Sequence, residues 1–237
     1  MLIILQVGGR KSTISNYLED HTAMKRAFFV LIVTMAASVT SLALAGVPQA
    51  DTNGWQSLFD GKTLGKWKPS SFIGCGKIDI KDSAIAITTG SPMSGITWSN
   101  EPPARMDYEL QLEARRTEGH DFFCGLTFPV GTNPCTLIVG GWGGNLTGLS
   151  SINGYDASEN ETTSTFEYES NRWYKITLKV TKGRIEAWIN DQQVVNLETE
   201  DKKFSIRWEV EPSVPLGIST WRTSSAIRNI RIRQTGS

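Results

Sequence analysis

From Trp55 onward, apolar and polar residues alternate with a period of two, and turn residues separate the runs. Tyr108, Leu110, Leu112 and Ala114 alternate with Glu109, Gln111, Glu113 and Arg115. Phe122, Cys124, Leu126 and Phe128 alternate with Asp121, Phe123, Gly125 and Thr127. Tyr174, Ile176, Leu178 and Val180 alternate with Trp173, Lys175, Thr177 and Lys179. Successive side chains of a strand point to opposite faces, so each run offers one face to a core and the other to water or ligand. Lys182-Gly183 and Asn190-Asp191 stand between the runs 173–181, 184–189 and 192–197, where hairpin turns are expected. Further strands are predicted at 77–80, 84–88, 95–98, 136–139, 215–220 and 226–233. About a dozen short strands and no sustained helical period predict an all-β fold, a two-sheet antiparallel jelly-roll sandwich. Pairing of the first segment, 55–61, with the last strand is expected, because it protects an edge.

The start of the chain reads as an address. Lys25 and Arg26 follow Met24 and precede the apolar run 27–33, which continues in small residues to Ala43-Leu44-Ala45. That order is a secretory signal with cleavage after Ala45. The expected organisation is therefore upstream sequence at 1–23, a signal peptide at 24–45 and one domain at 46–237. An uncleaved anchor is the alternative, since the run approaches the length that spans a bilayer. The expected location is periplasmic or secreted, with no membrane insertion of the mature chain.

Composition narrows the chemistry. The 237 residues carry 24 basic and 24 acidic side chains; without residues 1–45, 20 and 22 remain, a charge of −2. Such neutrality gives no electrostatic case for nucleic acid. Eight tryptophans and 22 glycines point to a large core or sugar-stacking platforms, and to many turns. His120 is the one histidine after residue 45, which excludes a multi-histidine zinc site there and makes any Ser-His-Asp mechanism depend on it. Cys75, Cys124 and Cys135 allow one oxidised pair in an exported protein, without showing which; Cys124, in an apolar strand, reads as a small buried hydrophobe.

Several motifs resemble the 3-keto-disaccharide hydrolase domain family. Trp55…Leu58-Phe59-Asp60-Gly61-Lys62-Thr63-Leu64…Trp67 is similar to its opening, and Asp107-Tyr108-Glu109-Leu110 through Arg115 to one of its strands. Arg172-Trp173-Tyr174, Ile185-Glu186-Ala187-Trp188-Ile189-Asn190 and Pro215-Leu216-Gly217-Ile218 resemble its late strands. The resemblance implies a concanavalin-like jelly roll that cleaves glycosides carrying a ketone at C3, with an oligosaccharide or 3-keto-sugar as partner. The stretches 120–130, 140–144 and 156–162 depart from the common pattern and resemble a planctomycete-type subgroup.

A 3-keto sugar permits one-base chemistry, because the ketone acidifies the C2 hydrogen; the enediolate then needs a stabilising arginine or metal ion. Glu113 and Arg115 share the polar parity of one strand and Asp121 that of the next, so all three are expected on one surface. Glu113, Asp121 and His120 are the catalytic candidates, His120 because its pKa lies near neutrality. Arg115, Trp142, Trp188 and Glu159 are the carbohydrate-binding candidates; Trp142 stands in the Gly140–Gly144 stretch, and Trp188 opposes the core parity of its strand. Each has a plainer structural role as its alternative, a solvated strand face, a loop or packing. The sequence assigns no cofactor, and a calcium or other divalent ion is the candidate. Asp156, Glu159, Asn160 and Glu161 are oxygen-rich enough for calcium or another divalent ion, or form a loop that caps itself. An enzyme on 3-keto-glycosides, a non-catalytic sugar-binding module and an adhesion domain are the competing functions.

Overall fold

The computed structural model describes residues 53–236; the expected upstream and signal segments lie outside them. In chain order the strands are β1 (Gln56–Ser57), β2 (Trp67–Pro69), β3 (Ile78–Lys81), β4 (Ala84–Ile87), β5 (Met93–Trp98), β6 (Tyr108–Glu118), β7 (Cys124–Val130) and β8 (Asn133–Gly141). They continue as β9 (Leu146–Ser150), β10 (Ser164–Thr165), β11 (Tyr174–Val180), β12 (Arg184–Ile189), β13 (Gln192–Glu198), β14 (Gly217–Trp221) and β15 (Ser224–Gln234). A 3₁₀ segment, Trp208–Ser213, lies between β13 and β14.

The strands form two antiparallel sheets. The first has the order β13-β12-β11-β6-β15-β4-β3, with β1 paired to β15; the second has the order β10-β9-β8-β7-β14-β5-β2. Alternation explains the layering. Leu110, Leu112 and Ala114 of β6 and Ile176, Leu178 and Val180 of β11 face Leu126 and Phe128 of β7, Leu137 of β8 and Ile218 of β14, all fully buried. Burying each large apolar side chain stabilises the sandwich by roughly 1.5–3 kcal/mol. The fold is thus the two-sheet antiparallel jelly-roll sandwich that the pattern predicts. Both expected hairpins form, β11 with β12 and β12 with β13. Gln56 opposite Ile232 closes the terminal pairing.

One parity expectation fails. β7 begins at Cys124, and before it Phe123 turns into the main core while Phe122 joins a second apolar cluster on the far side of the second sheet. No disulfide forms among the described residues: Cys75, Cys124 and Cys135 are free thiols. Burial pushes the Cys124 and Cys135 thiols up to about 12, so both behave as inert hydrophobes.

The outer face of the second sheet positions the site. Cross-strand register sets Ser150, Thr136, Thr127, Gly217 and Thr97 in one row, and Gly148, Ile138, Gly125, Ser219 and Gly95 in the next. These mostly small residues let covering segments lie close. Thr97 Oγ1 donates to the Pro212 carbonyl at 2.6 Å, and Phe72, Met93, Phe122, Ile138, Ala157 and Val210 pack as a second apolar cluster.

Candidate functional site

Between that covering layer and the sheet lies a hollow of about 190 Å³, with Asp121, Trp142, Arg207, Glu209 and Trp221 among its walls. On the scale of about 10–15 Å³ per water it holds on the order of a dozen waters, enough for a pyranose ring.

Trp142 reaches the rim from the turn between β8 and β9. It is 42% exposed and has a left-handed φ of 47°. The turn depends on Gly144, whose φ is +117° and where a Cβ would stand 2.7 Å from the His120 carbonyl. Arg116, at the end of β6 in the other sheet, reaches across to hold this turn. It is 6% exposed, donates through Nη2 to the Gly144 carbonyl at 2.7 Å, and lies over the Phe123 ring at 5.3 Å. Burial lowers the Arg116 pKa, and the negative charge of Asp121 acts against that.

Asp121 is fixed at its backbone. Its N–H donates to Thr223 Oγ1 at 3.1 Å, and its Oδ1 accepts the Phe122 N–H at 2.7 Å. Its Oδ2 has no hydrogen bond among the described residues, which leaves one lone-pair face for a ligand.

Across the hollow, Arg207 is clamped by two carboxylates. Its Nη1 donates to Asp156 Oδ2 at 2.7 Å and its Nη2 to Glu209 Oε1 at 2.8 Å. The bond from Arg207 holds the Glu209 carboxyl below its ordinary pKa. For Asp156, burial pushes upward, but hydrogen bonds from Ser158 and Arg207 outweigh it and the pKa is again lowered. Depressed carboxyl values mean the clamp is complete above the ordinary carboxylate range, roughly pH 4 to 4.5, and is lost as pH falls through the lower folded values. Carboxyl NMR titration should therefore find Asp156 and Glu209 titrating below ordinary Asp and Glu, and Arg207→Gln should move both upward. Ordinary values in the unsubstituted protein would remove the clamp.

The sequence candidates separate between sheets. Glu113 lies on the outer face of the first sheet, bonded to Arg228 Nη2 at 2.7 Å and Asn229 Nδ2 at 2.8 Å. Burial pushes its pKa up, but these partners prevail and lower it. Arg115 stacks on Trp173 of the same face, 4.7 Å from the ring centroid, and Trp188 of β12 belongs to that sheet too. The expected convergence of Glu113 and Arg115 with Asp121 does not occur, because the chain crosses from one sheet to the other between β6 and β7. Asp121 and Trp142 do come together. His120 is exposed, and its side chain does not line the hollow.

Glu159 is exposed in a turn closed by its own N–H to the Asp156 carbonyl at 3.0 Å. The loop around it caps itself. Asn160 Nδ2 donates to the Leu149 carbonyl at 2.7 Å, Asn160 Oδ1 accepts from Thr162, and Glu161 pairs with Lys202. Among the described residues no group of three or more His, Cys, Asp or Glu side chains is placed to share an ion, and no helix is long and apolar enough to cross a membrane.

Sequence reasoning missed Arg207, Glu209 and Trp221. For Arg207 and Glu209 a signal existed: residues 199–216 lack alternation between two strong strands, and long unpatterned connections in compact domains are commonly functional.

Comparison with known proteins sets this geometry in context. No curated protein matches the chain in sequence. Among solved structures, the Crh5 transglycosylase in complex with NAG aligns with a TM-score of 0.55 at 11% identity, covering 81% of this chain and 86% of that one. Domain 4 of the extracellular arabinanase AbnA from Geobacillus stearothermophilus, in complex with arabinotriose, aligns at 0.51 and 15% identity, covering 77% and 91%. A Bacillus subtilis protein of unknown function with a galectin-like fold aligns at 0.52 and 12% identity, covering 71% and 89%. At such identities these likenesses establish the sandwich fold alone. The sequence profile of one family spans residues 54–233, so the chain belongs to the 3-keto-alpha-glucoside-1,2-lyase-like domains, a carbohydrate-related family.

Proposed function

We propose that this domain cleaves uncharged 3-keto-glycosides by elimination at the Trp142 hollow, with Asp121 as the base. The observation that carries this reading is one carboxylate oxygen, Oδ2 of Asp121, with no hydrogen bond from the described residues, in a sugar-sized hollow edged by two indoles. Ordinary glycoside hydrolysis needs two working carboxyl groups about 5–10 Å apart. Here the other two carboxylates, Asp156 and Glu209, are engaged by Arg207.

Elimination needs one base. Asp121 takes the C2 proton, and the C–H electron pair moves toward the C3 carbonyl to form an enediolate. The pair then returns as a C1–C2 double bond, the C1–O bond breaks, and the leaving oxygen takes up a proton from Asp121 or water. Water adding across the double bond completes a net hydrolysis. Arg207 is the positive group facing the developing enediolate, and Trp142 and Trp221 offer stacking faces for the sugar. The two carboxylates of the lining, Asp121 and Glu209, outnumber its one guanidinium, Arg207, which disfavours acidic sugars. Export of the domain is part of the proposal and rests on the segment 24–45.

The test is incubation with 3-keto-trehalose in deuterated water. Expected is an enone absorbance, or free 3-keto-glucose carrying deuterium at C2, with trehalose itself uncut. Cleavage that retains the original C2 hydrogen would refute elimination, and binding without turnover would make the domain a sugar-binding module.

A further inference from the structure

Ser150 closes β9 and lies opposite Thr136 of β8, both in the lining of the hollow. The Thr136 hydroxyl is engaged with that of Thr127 at 2.9 Å. The Ser150 hydroxyl is different: the residue is 2% exposed, and its Oγ has no hydrogen-bond partner among the described residues. Buried hydroxyls are seldom left in that state, because desolvation without a partner is costly.

Its position is held from both sides. The Leu149 N–H donates to Thr162 Oγ1 at 2.8 Å, the Leu149 carbonyl accepts from Asn160, and the Ser151 N–H donates to the Ser205 carbonyl at 2.7 Å. The strand therefore holds a buried, pre-positioned hydroxyl in the lining of a cavity whose walls include indoles.

We infer that Ser150 is a specificity-determining residue that reads an oxygen substituent on the sugar ring in the hollow, accepting from a hydroxyl or donating to a keto oxygen. This rests on the sugar reading above and deepens it. A ring without that oxygen leaves the serine desolvated and unpaired, so the site rejects the corresponding deoxy sugar by penalty rather than by lost attraction.

The experiment compares binding of 3-keto-trehalose and its mono-deoxy analogues, by calorimetry, to Asp121→Asn and to the same protein carrying Ser150→Ala. Ser150→Ala should weaken 3-keto-trehalose about 10-fold, the scale of one hydrogen bond. One deoxy analogue should bind about 10-fold more weakly to the serine protein and no more weakly still to the alanine variant. The Tm should stay level or rise, since an unpartnered hydroxyl has been removed. Ser150→Cys, similar in size but a poor hydrogen-bonder, should weaken binding in the same way and guards against a cavity effect. Equal binding by serine and alanine proteins across the panel, or a lowered Tm with unchanged binding, would overturn the assignment and give the hydroxyl to a buried water. Failure of the serine protein to bind any of these sugars would overturn the sugar reading and this assignment together.

Discussion

Asp121→Asn is expected to cut turnover of 3-keto-trehalose by about 10²–10⁴-fold, the range set by loss of one positioned base, while binding changes only a few-fold. The substitution is mild for the fold. An asparagine oxygen can still accept the Phe122 N–H that Oδ1 accepts now, and the Asp121 N–H keeps its Thr223 partner. What disappears is proton affinity at Oδ2. Glu113→Gln is the matched control, because Glu113 lies on the other sheet within the Arg228–Asn229 contact. It should leave turnover unchanged and affect stability only slightly, as expected for a partly exposed ion pair. Near-normal turnover in Asp121→Asn, or collapse in Glu113→Gln, would move the chemistry away from the Trp142 hollow.

Phe123→Ala should be the most damaging of these changes for stability, at about 3–5 kcal/mol. Its ring is fully buried, meets Tyr168 edge-on at 5.2 Å, and lies beneath the Arg116 guanidinium. Truncation leaves a cavity under the arginine that holds the Trp142 turn, so weaker sugar binding should accompany the lost stability. For a domain of this size the loss corresponds to roughly 6–20 °C in Tm. Urea unfolding measures it; a cost below about 1 kcal/mol would remove Phe123 from the core.

The error over Phe123 shows where pattern reading stopped. Strict alternation assigned Phe122 to the core and Phe123 to the ligand face, yet β7 starts only at Cys124 and the two rings take opposite sides from those assigned. Period-two logic holds inside a regular strand, and the crossing between sheets is irregular. Asp121 and Trp142 were legible as candidates because a carboxylate and a glycine-flanked indole are chemically conspicuous on their own. Arg207 was not, because its role comes from a contact across the chain, with Asp156, and Glu209 acts through its bond to Arg207.

What the chain determined by itself is local: which residues extend, where hairpins turn, which side of each strand is apolar, and hence an all-β sandwich. Each depends on neighbours a few positions apart, and burial rewards the same alternation in any sandwich. Only the tertiary structure decided that β6 and β7, adjacent in sequence, belong to different sheets. That partition put Glu113 and Asp121 on separate surfaces, and brought Arg207, Glu209 and Ser150 around one hollow. Sheet membership is set by the packing of the whole core, a long-range free energy that no single run of residues encodes.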